Sequence, residues 1–398
     1  MRCVHVCDDH TRPVLSLALT GAHVFSGSYD TTIRAYDLAT LRRAATLGGH
    51  TDAVRALTVT PGCLWSASYD STVRVWCTTS FACLTVLTGH GGPVRALAVV
   101  GDRVFSSAYD ATVRCWCAHT RAPLGALAGH TSAVRALLPL PAQGLLASGS
   151  DDKSVRLWHA ATRAPVRTLD GHGDNVRVLA TDGRRLFSGS WDRTVRVWDL
   201  VGPGPPGAPL AVLRGHHEAV LALAVCRGHL VSGSFDASVR FWAIPPSPPP
   251  VPAQAQAHAS SPPGSPASSS PPHSPTRPHP HTPPSGAAAF PCVAKCDGHE
   301  DAVRVLAATL TGDCVFSGSY DGTVGFLAVP NGRQPPPQAA QAAQHADRGA
   351  RGGAAHAAAG GGAPGAGAAA PPPARGGSFE GRVARGITSL LGAARIDN

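Results

Sequence analysis

One motif recurs along this chain at nearly constant spacing. A histidine closes each unit, and glycine precedes it in six of the seven copies: His10, His50, His90, His130, His172, His216 and His299. Successive histidines lie 40, 40, 40, 42, 44 and 83 residues apart. Between them, segments such as "VRALTV" and "TVRVW" alternate β-branched with other residues and end at turn formers, which is typical of strands. Units of this length built from short strands predict a β-propeller.

The units are also near-copies of one another. "VFSGSYDTTIRAYD" starts at Val24, "LWSASYDSTVRVWC" at Leu64, "VFSSAYDATVRCWC" at Val104 and "LFSGSWDRTVRVWD" at Leu186. With Gly-His at one end and Trp-Asp at the other, these motifs resemble the WD-repeat family over residues 1–329. The resemblance implies an all-β, seven-bladed propeller. The seventh repeat has three strands and no fourth, so we predict that residues 2–8 supply the missing strand and close the ring.

Each repeat carries a serine, a histidine and an aspartate, the residue types of a hydrolase triad. A nucleophile is needed once, in one pocket, so seven copies in register indicate a structural role instead. The resemblance implies that His, Ser, Asp and Trp form a hydrogen-bonded network inside each blade; in the first blade Tyr36 stands at the Trp position, and in the seventh Leu327. We therefore predict no catalytic residues. The complete networks are His50, Ser66, Asp70, Trp76; His90, Ser106, Asp110, Trp116; His130, Ser148, Asp152, Trp158; His172, Ser188, Asp192, Trp198; and His216, Ser232, Asp236, Trp242.

Two further positions point to a binding surface. In the family, the residue before the turn Asp and the residue five after the His tend to lie on the narrower, top face. Here six of the first seven are aromatic and five of the second seven are arginine. Both types are common at binding hot spots, and guanidinium groups bind carboxylates and phosphates through two hydrogen bonds. We predict a site for an acidic or phosphorylated peptide at Arg55, Arg95, Arg135, Arg177, Arg304, Tyr29, Tyr69, Tyr109, Trp191, Phe235 and Tyr320, centred on Arg95, Arg135 and Tyr109.

An alternative explains this recurrence without binding, because recently duplicated blades resemble one another. Three positions depart from these patterns: Asp151 in the aromatic set, and Leu15 and Leu221 in the arginine set. The arginines of the third strand alternate with core residues, and we predict that they lie at solvated blade edges: Arg34, Arg74, Arg114, Arg156, Arg196 and Arg240.

Two tracts interrupt or follow the repeats. Residues 244–289, inside the sixth blade, are rich in Pro and Ser, and residues 330–398 are rich in Ala, Gly and Pro. Both compositions predict disorder. In the first tract Ser261, Ser265, Ser270, Ser274 and Thr282 each precede a proline. These pairs fit proline-directed phosphorylation, and they also follow from the abundance of both residue types, so both interpretations stay open.

Composition limits the partners and the compartment. The net charge is +9, but the basic residues are spread one per repeat without a Lys/Arg run, so protein partners are favoured over nucleic acid. The alternative is an RNA-associated scaffold.

The eleven cysteines form no CxxC pair. Cys3, His5 and Cys7 could share one strand face, yet reduced, half-buried cysteines are the commoner case, and we predict neither metal nor cofactor. Without a signal peptide or a long apolar stretch, we expect an intracellular protein, cytoplasmic or nuclear, that does not enter membranes.

Within the family, the short hairpins and repeat motifs look most like the WD-repeat halves of TRAF-type RING ubiquitin ligases, followed by F-box substrate receptors. This likeness implies a non-catalytic scaffold that recognises substrates for protein ubiquitination. The ligase part would be absent, missing from this sequence, or supplied by a partner.

Overall fold

The computed structural model describes residues 7, 9–200, 207–245, 290–309, 312, 314–321 and 323–329. Strands dominate this part of the chain, and its one helical element is a single 3₁₀ turn at Pro141–Gln143. The predicted insertion, at residues 244–289, and the predicted tail, at 330–398, fall almost entirely outside the described residues.

The described strands form seven antiparallel sheets, here called blades. Blade one contains β1 (Val14–Leu19), β2 (His23–Ser28), β3 (Ile33–Asp37) and β4 (Arg43–Leu47). Blade two contains β5 (Val54–Thr60), β6 (Cys63–Ser68), β7 (Val73–Cys77) and β8 (Cys83–Leu87). Blade three contains β9 (Val94–Val100), β10 (Arg103–Ala108), β11 (Val113–Cys117) and β12 (Pro123–Leu127). Blade four contains β13 (Val134–Leu140), β14 (Leu145–Ser150), β15 (Val155–His159) and β16 (Pro165–Leu169).

The remaining blades repeat this arrangement with two variations. Blade five contains β17 (Val176–Thr181), β18 (Arg185–Ser190), β19 (Val195–Asp199) and the short β20 (Ala211–Leu213). Blade six contains β21 (Val220–Cys226), β22 (His229–Ser234), β23 (Val239–Ala243) and β24 (Cys292–Cys296). Blade seven contains, in its described part, β25 (Val303–Ala308), β26 (Cys314–Ser319) and β27 (Val324–Ala328). The predicted closing strand, residues 2–8, falls on residues that the structure does not describe, apart from Cys7.

The first strand of each blade lies innermost. The strands β1, β5, β9, β13, β17, β21 and β25 contact one another in this order. Side chains from blade one and from blade seven line the same central opening, so the blades are arranged around it in a ring. Each blade presents the turn before its third strand at one end of this ring, and the hairpin between its first and second strands at the opposite end.

The hydrophobic core lies between blades rather than inside them. Trp65 of blade two packs with Val104 and Trp116 of blade three, and Phe105 of blade three packs with Trp158 of blade four. Burying one such large side chain contributes about 1.5–3 kcal/mol. Each blade is therefore stabilised mainly by its neighbours.

Blade six keeps its register although residues 244–291 separate β23 from β24. Trp242 lies opposite Cys292 in this pair, as Trp76 lies opposite Cys83 in blade two. The insertion therefore leaves the sheet intact.

The prediction that the third-strand arginines are solvated holds only in part. All six are half-buried, and the Nε atom is fully buried in Arg74, Arg114, Arg156, Arg196 and Arg240. The Nε of Arg74 is buried, and its Nη1 lies 2.6 Å from the point where a Cβ on Gly49 would stand. Gly49 also has φ +140°, which disfavours any other residue. This contact explains why glycine precedes the repeat histidine, and it recurs in the pairs Arg114 with Gly89, Arg156 with Gly129, Arg196 with Gly171 and Arg240 with Gly215.

Candidate functional site

The His, Ser, Asp and Trp side chains of each complete repeat are hydrogen-bonded to one another. In blade four, His130 Nδ1 lies 2.7 Å from Asp152 and Nε2 lies 2.8 Å from the Ser148 hydroxyl, which also accepts a hydrogen bond of 2.8 Å from the indole of Trp158. Because the indole can only donate, the Ser148 hydroxyl is free to donate to Nε2. Neutral His130 then donates from Nδ1 to the carboxylate, so each of these groups has a partner.

The same contacts occur around the ring. Blades two, three, five and six repeat all three hydrogen bonds, with distances of 2.7 to 3.0 Å. The serine hydroxyls belong to residues that are at most 4 % exposed in all seven blades. A substrate cannot reach a serine buried in this way, which agrees with a structural role for the network.

Hydrogen bonds control the charge of the network aspartates. Burial raises the pKa of Asp152, but hydrogen bonds from His130 and Ser154 outweigh burial and hold that pKa well below its ordinary value. In blade seven the same balance lowers the pKa of Asp321 to about 2. These carboxylates are therefore ionised acceptors at neutral pH.

Blades one and seven lack the indole donor. In blade one His10 still contacts Asp30 and Ser26 at 2.7 Å, while burial, together with the Asp9 carboxylate, raises the pKa of Tyr36. In blade seven Leu327 packs at the core, and the Thr323 hydroxyl lies 2.9 Å from His299 Nδ1. The network of blade seven therefore has one hydrogen bond fewer at its serine.

Two further residues per repeat take part that the sequence interpretation missed. The residue two positions after the turn Asp is Thr or Ser, and its hydroxyl donates a hydrogen bond to Oδ1 of that Asp. In blade two, Thr72 donates to Asp70 at 2.7 Å. A second serine, such as Ser68, donates to the carbonyl of Asp52 at 2.9 Å and accepts from the Asp70 amide at 3.1 Å. The constant Ser-x-Asp-x-Thr/Ser spacing was the available signal for both.

Blade three departs from this pattern at one place. Where blade two has Ala67 followed by Ser68, blade three has Ser107 followed by Ala108. The Ser107 hydroxyl is fully buried and has no hydrogen-bond partner among the described residues. The order of the two residues therefore leaves a polar group unsatisfied and also removes the hydroxyl that meets the Asp70 amide in blade two.

The predicted arginines meet at the central opening. A cavity of about 340 Å³ is lined by Ser16, Leu17, Arg55, Ala56, Leu57, Arg95, Ala96, Leu97, Arg135, Arg177, Leu221 and Arg304. We call the part formed by Arg55, Arg95, Arg135, Arg177 and Arg304 the arginine opening. None of the described residues that line this cavity is acidic. In blade one, Ser16 and Leu17 line the cavity, and Leu15, which the sequence singled out, does not.

One arginine of the opening has an internal counter-ion. Arg135 Nε lies 2.7 Å and 2.8 Å from the two carboxylate oxygens of Asp151, and its Nη1 donates to the Tyr109 hydroxyl at 2.6 Å. Asp151 occupies the position that holds an aromatic residue in the other six blades. The guanidinium of Arg135 is therefore already neutralised within the protein.

The other arginines lack such a partner among the described residues. Arg55 donates to the carbonyl of Leu15 at 3.2 Å and Arg95 to the Tyr69 hydroxyl at 3.2 Å, both neutral acceptors. Burial, together with the charges of Arg135 and Arg304, lowers the pKa of Arg177 to about 10. The arginine opening therefore carries a net positive charge, because it contains five guanidinium groups and only Arg135 has a carboxylate partner among the described residues.

Aromatic side chains surround the arginine opening. Tyr69 makes edge-to-face contacts with Tyr29 and Tyr109, at centroid distances of 6.4 and 6.2 Å. Arg177 lies 5.7 Å from the ring centre of Trp191, and Arg304 lies over Tyr320. Four of these rings are partly open to solvent, at 38 to 48 % exposure: Tyr29, Tyr109, Trp191 and Phe235.

Other kinds of site are absent from the part of the chain that the structure describes. There, no group of three or more His, Cys, Asp or Glu side chains could hold a metal ion. The predicted alternation of Cys3, His5 and Cys7 falls on residues that are not described, except for Cys7. A search of the same residues finds no helix with the length and apolar character needed to cross a membrane.

Comparison with known proteins adds one match. The family model for the WD domain, G-beta repeat, matches seven times, at residues 1–37, 41–77, 81–117, 121–159, 163–199, 207–243 and 290–326. Each match ends within or at the end of the third strand of a blade, and each match from the second to the seventh spans the outer strand of one blade and the inner three of the next. No curated protein sequence matches the chain.

Proposed function

Because the chain belongs to the WD40 repeat family, whose propellers are typically non-catalytic protein-interaction scaffolds, we propose that it binds an acidic or phosphorylated peptide at the arginine opening. One observation carries this proposal. Five guanidinium groups converge on a cavity with no acidic lining residue among those described, and among the described residues only Arg135 of the five has an ion-pair partner. A cleft lined by one sign of charge attracts the opposite charge.

The geometry moves the centre of the proposed site. The sequence placed it at Arg95 and Arg135, but Asp151 occupies the hydrogen-bonding edge of Arg135. An incoming carboxylate or phosphate would have to compete with that internal carboxylate. Arg177 and Arg304 have aromatic neighbours and no carboxylate partner among the described residues, so we place the anion beside them.

The exposed aromatic rings complete the proposed surface. Trp191 is 45 % exposed and Phe235 is 48 % exposed, and both lie before the turn Asp of adjacent blades. Rigid aromatic side chains lose little conformational entropy on binding and provide large apolar contact areas. We propose that the rings of Trp191 and Phe235 contact apolar residues of the peptide on either side of its acidic group.

The test is a double substitution, Arg177→Ala with Arg304→Ala. A phosphopeptide selected on an array by the unmodified protein should lose about 2–4 kcal/mol of binding free energy, measured by titration calorimetry. Arg→Lys at both positions should also weaken binding, because an ammonium group lacks the planar fork. The unphosphorylated peptide should bind weakly to every variant.

A matched control removes two exposed arginines that lie away from the opening, Arg42 and Arg214. It has the same net charge as the double variant and should bind as the unmodified protein does. Equal losses in the two double variants would reduce the effect to net charge and contradict the site. Thermal unfolding of each variant tests whether the fold is retained.

The rival, an RNA-associated scaffold, makes a different prediction. RNA binding would fall steeply with salt concentration and would depend on Arg42 and Arg214 as well as on the opening.

The finer likeness to TRAF-type RING ligases and F-box receptors supports a further proposal, a substrate-recognition role in a ubiquitin-ligase complex in the cytoplasm or nucleus. Co-purification of ligase components with the unmodified chain tests that role.

A further inference from the structure

Two cysteines face each other across a strand pair of blade two. Cys63 begins β6, Cys77 ends β7, and the two residues lie directly opposite in the register. The amide of Thr78 donates to the carbonyl of Gly62 at 3.1 Å, one residue beyond this pair on either strand. This pattern marks the pair as non-hydrogen-bonded, for which Cα atoms lie about 4.5 Å apart and side chains share one face. Disulfides span Cα separations of about 4.4–6.8 Å.

Cys77 occupies a position that holds an anion in other blades. Blade one has Asp37 there, whose Oδ1 accepts hydrogen bonds from the Ala39 amide at 3.0 Å, and from the Thr40 amide and hydroxyl at 2.7 and 2.9 Å. In blade two, the Ser80 amide donates to Cys77 Sγ at 3.5 Å, and the Thr79 hydroxyl lies 3.1 Å from it. The turn that receives a carboxylate in blade one therefore receives a sulfur atom in blade two.

These donors favour the thiolate of Cys77. Hydrogen bonds from Ser80 and then from Thr79 lower the pKa of Cys77 to about 6. The side chain is partly exposed, so small molecules can reach it. A thiolate is the nucleophile in thiol–disulfide exchange.

Cys63 is buried, and the guanidinium of Arg121 from blade three donates to its sulfur at 3.6 Å. Each sulfur atom is thus turned toward its own donor. At the Cα separation of such a pair, rotation about the two Cα–Cβ bonds can bring the sulfur atoms within bonding distance without a change in the strand pairing.

We propose that Cys63 and Cys77 form a reversible disulfide by exchange with low-molecular-weight disulfides such as oxidised glutathione. The Cys77 thiolate attacks one sulfur of the small disulfide, forms a mixed disulfide and expels one thiolate. Cys63 then loses its proton to solvent and attacks the Cys77 sulfur, and a second small thiolate leaves. Two protein thiols are oxidised, and one small disulfide is reduced to two thiols.

Blade three contains a natural control. Cys117 holds the same turn position as Cys77 and accepts a hydrogen bond from the Thr120 amide at 3.5 Å, which lowers its pKa. The residue directly opposite Cys117 is Arg103, so no cysteine lies across this strand pair from it. Exchange at Cys117 should therefore stop at the mixed disulfide.

This inference is independent of the proposed function. Cys63 and Cys77 lie at the strand ends opposite to the turn of Tyr69 and Asp70, so the pair and the arginine opening belong to opposite ends of blade two. Peptide affinity and disulfide formation can thus fail separately.

The experiment treats the reduced full-length protein with oxidised glutathione at pH 7 and maps the peptides by mass spectrometry. We expect a Cys63–Cys77 disulfide, reversed by excess reduced thiol, and glutathione retained on Cys117. In the Cys63→Ser variant, Cys77 should retain glutathione instead. The rate of Cys77 alkylation should show a pH midpoint about two units below that of an ordinary thiol, which titrates near 8.5.

Two results would overturn the proposal. Glutathione retained on Cys77 in the unmodified protein, as in Cys63→Ser, would show that Cys63 does not resolve the intermediate. An unreactive Cys77 would show that the first step does not occur.

Discussion

At the scale of single residues, hydrogen-bond direction explains which residue types each repeat requires. The indole at Trp158 donates to a serine that in turn donates to His130, and His130 donates to Asp152. Each member has one role, and a change at any position leaves a buried partner without its bond. The repeated motif therefore reflects hydrogen bonding among buried polar groups inside each blade, and it does not indicate which partner the protein binds.

A prediction at this scale concerns the exchanged pair in blade three. Changing Ser107→Ala together with Ala108→Ser should raise the free energy of unfolding by about 1–2 kcal/mol. The first change removes a buried, unsatisfied hydroxyl. The second supplies the hydroxyl that Ser68 provides in blade two. Urea denaturation measures the difference.

The reverse exchange in blade two is the matched control. Ala67→Ser with Ser68→Ala should destabilise the protein by a similar amount. If both exchanges destabilise equally, local packing rather than hydroxyl satisfaction decides the effect.

Residue spacing predicted some of these roles and missed others. The spacing placed five arginines at one opening, because positions counted from the same histidine fall at equivalent places in each blade. It could not show that Asp151 neutralises Arg135, since that contact depends on side-chain geometry. The packing of Arg74 on Gly49 was missed for the same reason, because Gly49 lies in the loop after β4 and Arg74 lies in β7.

At the scale of the element, strand order was readable from the repeat, whereas the pairing across the insertion had to be inferred. The strand β24 lies beside β23 even though residues 244–291 separate them. The sequence predicted this pairing, because alternating residues followed by the Gly298–His299 pair are typical of the fourth strand of a blade. The closing strand at residues 2–8 stays a prediction.

A prediction at this scale follows from where the ends of the insertion lie. The amide of Ala243 donates to the carbonyl of Pro291 at 3.0 Å, so a short connection can span the gap. Replacing residues 247–286 with a short Gly-Ser linker keeps Pro245 and Phe290, both of which contact Arg185. Thermal unfolding should show a retained fold, stabilised by about 1 kcal/mol through a smaller loop-closure entropy.

A variant with the same residues 247–286 in scrambled order controls for length and should match the unmodified protein. Loss of the cooperative transition in the Gly-Ser variant, but not in the scrambled one, would mean that the fold requires a connection of this length.

At the scale of the whole molecule, repetition multiplies small effects. The aspartate at the turn of every blade has a pKa held below its ordinary value by hydrogen bonds that outweigh burial: Asp30, Asp70, Asp110, Asp152, Asp192, Asp236 and Asp321. Seven equivalent groups titrate together, so the dependence of stability on pH should be steeper than for a fold with one such group.

The corresponding prediction is acid sensitivity. In the unfolded chain an aspartate takes up a proton near pH 3.9, whereas in the folded chain it resists protonation to lower pH. The stabilisation is thus complete above pH 5 and is lost as pH falls below about 4. Each carboxylate protonated only on unfolding contributes a slope of about 1.4 kcal/mol per pH unit.

Urea denaturation between pH 6 and pH 3 measures this slope, and Asp152→Asn should reduce the proton uptake on unfolding by about one. A stability that does not change over this range would contradict the assignment of the turn carboxylates.

The insertion in blade six also has a consequence in time. Ribosomes add about 5–20 residues per second, so residues 244–291 take about 2 to 10 seconds to synthesise. During this interval the outer edge of β23 has no partner strand, whereas β7 waits only for residues 78–82 before β8 emerges. An unpaired strand edge is a site for association with other chains. Among the blades with four described strands, blade six therefore waits longest for its fourth strand during synthesis. Over that time the open edge of β23 has to be kept from pairing with other chains.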